Sequence, residues 1–299
     1  MIPNKSADLL TRLKSNAPDF RKPVSLVRQD SSAFISEMQD EESELPATES
    51  VEIARGLRGY WISNPEAVAD QTVLFFHGGG VNLGSTQDHL GLCARIAKAA
   101  QARVFSVDYR LAPEHVFPAQ AEDAITAYKY LLSHGLPSHR IIPAGISAGG
   151  TLVLDLLLSA RDQRLPLPPA GVCMSPVVTM LFDGESVTKN IDNDWLTPAQ
   201  LNAIRTAYLA GHNPEDPLAS PVYARLSGIP RLYIQAGTHE LLLSDIASFV
   251  DKARWAGVPV QFELWEGMFH CWQAFAWQVP EGEQAINLAG VFIRDAMVR

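Results

Sequence analysis

Cysteine is scarce: Cys93, Cys173 and Cys271 are the three in 299 residues, widely spaced and without a Cys-x-x-Cys pair. An odd, scattered set argues against a disulfide framework and against a zinc site, and a reducing, cytoplasmic setting fits it. Basic charge is also short. Lys and Arg total 24 against 33 Asp and Glu, a formal charge of −9, and no basic run is present that could follow a phosphate backbone. Nucleic acid is therefore not an expected partner. No apolar stretch approaches the length needed to span a bilayer, and Met1 to Lys14 lacks the apolar core of a signal peptide, so neither export nor stable membrane insertion is expected. Internal repeats and low-complexity tracts are missing too, which removes solenoids and fibrous folds.

What the chain has is apolar content: 47% hydrophobic residues over 299 positions can bury a large core. From Thr72 onward strands and helices alternate. Strands are expected at Thr72 to Phe76, Arg103 to Val107, around Ile141-Ile142, and at Gly171 to Met174, Arg231 to Ala236 and Val260 to Trp265. Helices are expected at Gln87 to Ala100, Pro118 to Leu132, Ala148 to Arg161, Ser244 to Ala256 and from about Gln284 to the end. Continuous apolar strands separated by helices predict an α/β fold with a mostly parallel sheet covered on both faces. Pro143 cannot donate to a ladder, so a local defect is expected there. The pattern over Val51 to Ser63 predicts two further strands joined by a turn.

Two segments interrupt the alternation. Residues 1 to about 45 carry an amphipathic beginning (Leu9, Leu10, Leu13) and an acidic patch, Asp40 to Glu44, and predict one or two helices. Residues 181 to 216 contain a helix over Thr197 to Leu209, with Thr197 as N-cap and Pro198 at the first helical position. Both are expected to lie over the sheet, leaving 46–299 as the main domain with an insertion at about 181–216.

Chemistry concentrates in Gly145-Ile-Ser-Ala-Gly-Gly150. A serine between a buried strand and a helix, with glycines on either side, is the pattern of a nucleophile elbow. A serine nucleophile needs a base, a carboxylate to orient the base, and donors for an oxyanion. In strand-ordered hydrolases the acid follows a late strand and the histidine comes last. Glu240 and His270 stand at those two places. Asp245 also follows the strand Arg231 to Ala236, but it lies inside the next helix, where a capping role is expected. His77-Gly78-Gly79-Gly80, directly after a strand, and Ala148, directly after the serine, are the candidate oxyanion donors. His77 is expected to hold the glycine loop by hydrogen bonding. His89, His115, His134, His139, His212 and His239 are read as structural.

Together His77-Gly-Gly-Gly80, Asp108-Tyr-Arg-Leu-Ala-Pro-Glu-His115, Ser147-Ala-Gly-Gly150, Ser220-Pro221 and Gly267-Met-Phe-His270 resemble the hormone-sensitive lipase family of carboxylesterases. The motifs run in family order over about two-thirds of the chain. The resemblance implies an α/β-hydrolase fold, a helical cap built from 1–45 and 181–216, and hydrolysis of short- to medium-chain carboxylic esters through an acyl-enzyme. It implies Ser147 as nucleophile, His270 as base and Glu240 as acid, with Ala148, Gly79 and Gly80 on the oxyanion and Gly78 a lesser contributor. Asp108 to Glu114 becomes a structural turn beneath the site. No cofactor or metal is implied, and the expected partners are a small-molecule ester and at most a second copy of the chain, as a homodimer. Two positions depart from the family. Ile146 stands where most relatives have Asp, and Glu240 where Asp is usual. Amide cleavage, acyl transfer or lipase action on the same residues remain open alternatives, as does a non-catalytic receptor on the same fold.

Overall fold

The computed structural model describes residues 4–19, 22–39, 46–68 and 70–298. Its framework is an eight-stranded sheet, β1 (Thr48–Ala54), β2 (Leu57–Ile62), β3 (Thr72–Phe76), β4 (Arg103–Asp108), β5 (Ile141–Ile146), β6 (Ala170–Met174), β7 (Arg231–Gly237) and β8 (Val260–Trp265). The order is β1-β2-β4-β3-β5-β6-β7-β8. β2 pairs antiparallel with β1 and β4, and every later pair is parallel.

Burial explains the apolar runs. All five residues of β3 and all six of β5 are buried, as central strands covered on both faces require. Successive side chains split between two cores. Leu74, Phe76, Phe105 and Val107 join the core beneath α5 (Ala119–Ser133), α6 (Ala148–Asp162) and α9 (Leu243–Trp255), while Val73, Phe75, Val104 and Ile142 face α4 (Leu90–Ala100) and α10 (Pro280–Val298). Helices therefore cover both faces.

Boundaries differ from the sequence expectation at three places. β5 continues four residues past Ile142, and it does so through Pro143. The Ser147 N–H points to β6, donating to the Met174 carbonyl at 2.9 Å, and the two-residue strand period puts the missing Pro143 N–H on the same side. Accordingly β5 pairs with β3 from Ile141, but with β6 only from Ala144. The helix expected over Gln87 to Ala100 is a 3₁₀ turn at Gln87–His89 followed by α4. The last helix starts at Pro280, a residue suited to a first turn, four positions earlier than expected.

Before β1 lie three helices rather than one or two: α1 (Asn4–Asn16), α2 (Val24–Asp30) and α3 (Ser32–Ser36), the last two parted only by Ser31. The acidic patch Asp40 to Glu44 lies outside the described residues. Between β6 and β7 come α7 (Ser186–Lys189) and α8 (Pro198–Leu209), and α8 opens with the expected Thr197 cap, closed by Gln200 as a capping box. These two regions touch. Gln200 Nε2 donates to the Pro18 carbonyl at 2.9 Å, and the rings of Phe34 and Trp195 lie 4.7 Å apart. No helix among the described residues is long and apolar enough to cross a membrane.

Candidate active site

β5 ends in a turn that Ser147 makes with φ 55° and ψ −123°, a conformation costly for a residue with a Cβ. The turn is tight enough to demand glycine at its flanks: a Cβ on Gly149 would sit 2.0 Å from the Phe76 carbonyl oxygen, and one on Gly145 would sit 2.2 Å from that of Gly149. α6 begins immediately at Ala148, so the Ala148 N–H has no partner within the helix and adjoins the serine.

The sequence-predicted serine, histidine and glutamate, brought from three separate strand ends, form one chain of hydrogen bonds. Ser147 Oγ lies 2.8 Å from His270 Nε2, and His270 Nδ1 lies 2.9 Å from Glu240 Oε2. The order of bonds corresponds to a neutral imidazole carrying its proton on Nδ1. Glu240 is 0% exposed, His270 1% and Ser147 8%, so the serine is the most open of the three; His270 borders the same pocket and Glu240 lies behind it. The other oxygen, Glu240 Oε1, accepts from the Gly237 N–H at 2.7 Å and the Ser175 hydroxyl at 2.8 Å.

Electrostatics follow from this burial. Burial disfavours a charged His270 imidazolium, while the hydrogen-bonded Glu240 carboxylate favours it and raises the His270 pKa. Burial also pushes the Cys271 thiol up, so Cys271 stays neutral near pH 7 and the Glu240 carboxylate is the partner that supports the imidazolium.

The glycine loop stands opposite. Gly79 and Gly80 have φ of 115° and 62°, which turns their N–H groups without steric cost. Gly78 differs, because its N–H already donates to His89 Nε2 at 3.3 Å. His77 donates from Nδ1 to the Gly78 carbonyl at 2.8 Å and stacks on Tyr109 at 4.2 Å. Burial, with His89 adding, lowers its pKa to about 3, so it stays neutral. His77 therefore holds the loop as expected. His89, read as structural from the sequence, orients Gly78. His115, His134, His139 and His212 are exposed.

Asp245 is not a cap. Helix α9 starts with Leu242 as N-cap and without a side-chain cap bond; the Asp245 carboxylate instead takes the Gly184 N–H. The Asp108 to Glu114 turn braces the loop from below: Asp108 Oδ1 accepts from the Thr86 N–H at 2.7 Å, and the Tyr109 hydroxyl donates to the His77 carbonyl at 2.9 Å.

Over the serine opens a pocket walled almost entirely by apolar side chains, among them Phe34, Ile35, Val177, Trp195, Leu201 and Ile204. Ile146, the departure before the serine, is 1% exposed and contributes to the same wall. Among the described residues no cluster of His, Cys, Asp and Glu is arranged to hold a metal ion.

A family model for the alpha/beta hydrolase fold matches residues 73–274. An acetyl-hydrolase of Streptomyces hygroscopicus is 42% identical over 237 residues, 79% of either chain. A solved esterase from the bacterial hormone-sensitive lipase family superposes with a TM-score of 0.93 at 39% identity over 99% of both chains. The chain belongs to the hormone-sensitive lipase family of α/β-hydrolases. It is a carboxylic ester hydrolase. The esterase EstE5, solved after soaking with p-nitrophenyl butyrate, matches this ester hydrolase with a TM-score of 0.93 at 35% identity, over 99% of this chain and 100% of its own.

Ser175, Asp194 and Trp195 were missed by sequence reasoning. Ser175 follows β6 directly, and the carboxyl ends of parallel strands are where site groups gather. That signal was available. Asp194 lies in an Asn- and Asp-rich stretch that reads as an ordinary turn.

Proposed function

We propose that this esterase hydrolyses short- to medium-chain carboxylic esters with Ser147 as nucleophile, His270 as general base and acid, and Glu240 as the carboxylate that orients His270. The observation carrying the assignment is the unbroken chain Ser147 Oγ, His270 Nε2, His270 Nδ1, Glu240 Oε2 at 2.8 and 2.9 Å. His270 takes the serine proton as Oγ attacks the ester carbonyl, and the imidazolium formed is stabilised by Glu240. The carbonyl oxygen becomes negative and is received by the N–H groups of Gly79, Gly80 and Ala148. Gly78 is left out, since its N–H is spent on His89. His270 then returns the proton to the departing alcohol, and water repeats the cycle on the acyl-enzyme.

Residues 1–45 and 181–216 act as a cap that bounds the acyl group, with 46–299 as the catalytic domain into which the second piece is inserted. Support comes from the Gln200 to Pro18 bond and from the pocket wall, to which both pieces contribute. Short and medium chains fit an apolar pocket closed by Phe34, Leu201 and Ile204. The test is a chain-length series of p-nitrophenyl esters with Ser147→Ala as control. Ser147→Ala should lose on the order of ten thousandfold or more in kcat; substantial residual turnover would mean that another group is the nucleophile.

A further inference from the structure

Asp194 lies between α7 and α8, far in sequence from Glu240 and His270, yet it is 1% exposed and both its oxygens are engaged. Oδ1 accepts from the N–H of His270 at 3.1 Å and of Trp195 at 2.8 Å, and Oδ2 accepts from the N–H of Leu241 at 2.9 Å. One side chain thus holds the main chain of the base and of the residue after the acid. Its neighbours repeat the pattern. Asn190 Nδ2 donates to the carbonyls of Thr238 at 3.0 Å and Glu240 at 2.8 Å, and Trp195 Nε1 donates to the His270 carbonyl at 2.8 Å. The two loops also meet directly, through His239 N–H to the Met268 carbonyl and Gly267 N–H to Thr238 Oγ1. Those bonds involve residues that precede Glu240 and His270. At Glu240, Leu241 and His270 themselves, the inserted segment 190–195 supplies clamps to the backbone.

We infer that Asp194 is a positioning residue: it fixes the backbones of Glu240 and His270 at the separation their side-chain bond requires, and ties that separation to the segment covering the pocket. The inference rests on the reading of Ser147, His270 and Glu240 as the reacting set. A buried carboxylate is tolerated when N–H donors solvate it, and removing it strands those donors. An apolar loop would have served as well for coverage alone. The ionisable groups around Asp194 are His270, Glu240 and Cys271 on the triad side, and Lys14 and Asp19, which line a surface cavity together with it. Burial pushes its carboxyl up to about 6, against the pull of His270 and with the push of Glu240, so near pH 7 it is an anion beside the imidazolium that forms during turnover.

Asp194→Asn tests this. The amide oxygen can still serve His270 and Trp195, but its NH₂ then faces the Leu241 N–H, donor against donor. Displacing a reacting group slightly costs up to about a hundredfold, so kcat on p-nitrophenyl butyrate should fall about ten- to a hundredfold while KM stays within about twofold. With one negative charge gone near His270, the acid limb of the kcat/KM profile should move to lower pH. A role in loop stability alone moves the thermal midpoint and not that limb. Wild-type kcat with an unmoved limb in a folded variant would overturn the inference. Should Asp194→Asn fail to fold, Trp195→Phe, which removes only the Nε1 bond to the His270 carbonyl, decides: a kcat equal to wild type overturns it, a smaller drop in kcat at constant KM upholds it. Activity surviving in Ser147→Ala would instead overturn the reacting set, so the two failures are distinguishable.

Discussion

The Ser175 hydroxyl donates to Glu240 Oε1 at 2.8 Å, so the carboxylate facing His270 is steadied from the end of the neighbouring strand. The same oxygen takes the N–H of Gly237, three residues back. This folding back over its own strand end is how a glutamate, one methylene longer than the usual aspartate, leaves Oε2 at 2.9 Å from the imidazole. Three donors fix one acid.

Glu240→Gln should keep the fold and lose on the order of a thousandfold or more in kcat, because an amide cannot support the imidazolium and can hold the wrong tautomer. Glu240 raises the His270 pKa, so its loss should also carry the acid limb of any residual activity to lower pH. Steady-state kinetics from pH 5 to 9 with a thermal scan read both effects. A variant within tenfold of wild type would place the acid elsewhere.

Asp245→Asn should leave kcat within about twofold and alter stability instead. Burial first, then Asp183, pushes the Asp245 carboxyl up to about 6. A raised folded-state pKa means stability that is full below the unfolded value near 3.9 and lost as pH climbs through about 6. The variant should therefore gain on wild type between about pH 4 and 6 and hold the gain above, by no more than about 1–2 kcal/mol once solvent screening is allowed for. An Asp245→Asn enzyme that folds but is inactive beside an active Glu240→Gln would reverse the two roles.

The contrast between these carboxylates shows what the sequence could carry. Ser147, Glu240 and His270 were legible because parallel strands deliver site groups at their carboxyl ends, and each follows such an end. The sheet was legible because β3 is nearly all apolar and the apolar stretches of β4 and β7 are each interrupted by a single polar residue, Ser106 and Gln235. Asp245 was misread because proximity to a helix start suggests capping, whereas the bond it makes, to Gly184, joins segments 61 residues apart. Asp194 was missed for the same reason: a hydrogen bond to the main chain of a distant loop leaves no periodicity and no spacing.

Ile204 on α8 packs directly on the glycine loop, its Cδ1 2.7 Å from where a Cβ on Gly80 would stand. Trimming it opens the pocket wall beside Gly79 and Gly80, the proposed oxyanion donors. Ile204→Ala should raise the ratio of kcat/KM for octanoate over acetate p-nitrophenyl esters at least about threefold, a change of under 1 kcal/mol that one or two added methylene contacts readily supply. It should cost roughly 2 kcal/mol of stability, at the low end for such a truncation, because the site borders open space. An unchanged ratio would mean the acyl chain runs along another wall.

Asp155 on α6 is 0% exposed, and neither carboxylate oxygen has a hydrogen-bond partner among the described residues. It lies two turns along the helix from Ser147 and takes no part in the chain of bonds to His270. Burial, with Asp216 adding repulsion, holds its carboxyl well above the usual range. The sign is that of Asp245: the fold prefers the neutral acid, so stability is full below the unfolded value and declines as pH rises toward the folded one. Each unit between the two values is worth about 1.4 kcal/mol. Asparagine has the same shape and no charge to bury, so Asp155→Asn should match wild type near pH 4 and exceed it increasingly toward pH 8. For a chain of this size about 2 °C of thermal midpoint accompanies each kcal/mol, so a gain of a few degrees at pH 8 is expected, with kcat unaltered. Midpoints of both proteins measured at pH 4, 6 and 8 decide it: curves that run parallel across that range would mean Asp155 finds a compensating charge in the folded state, and the buried-acid reading would fall.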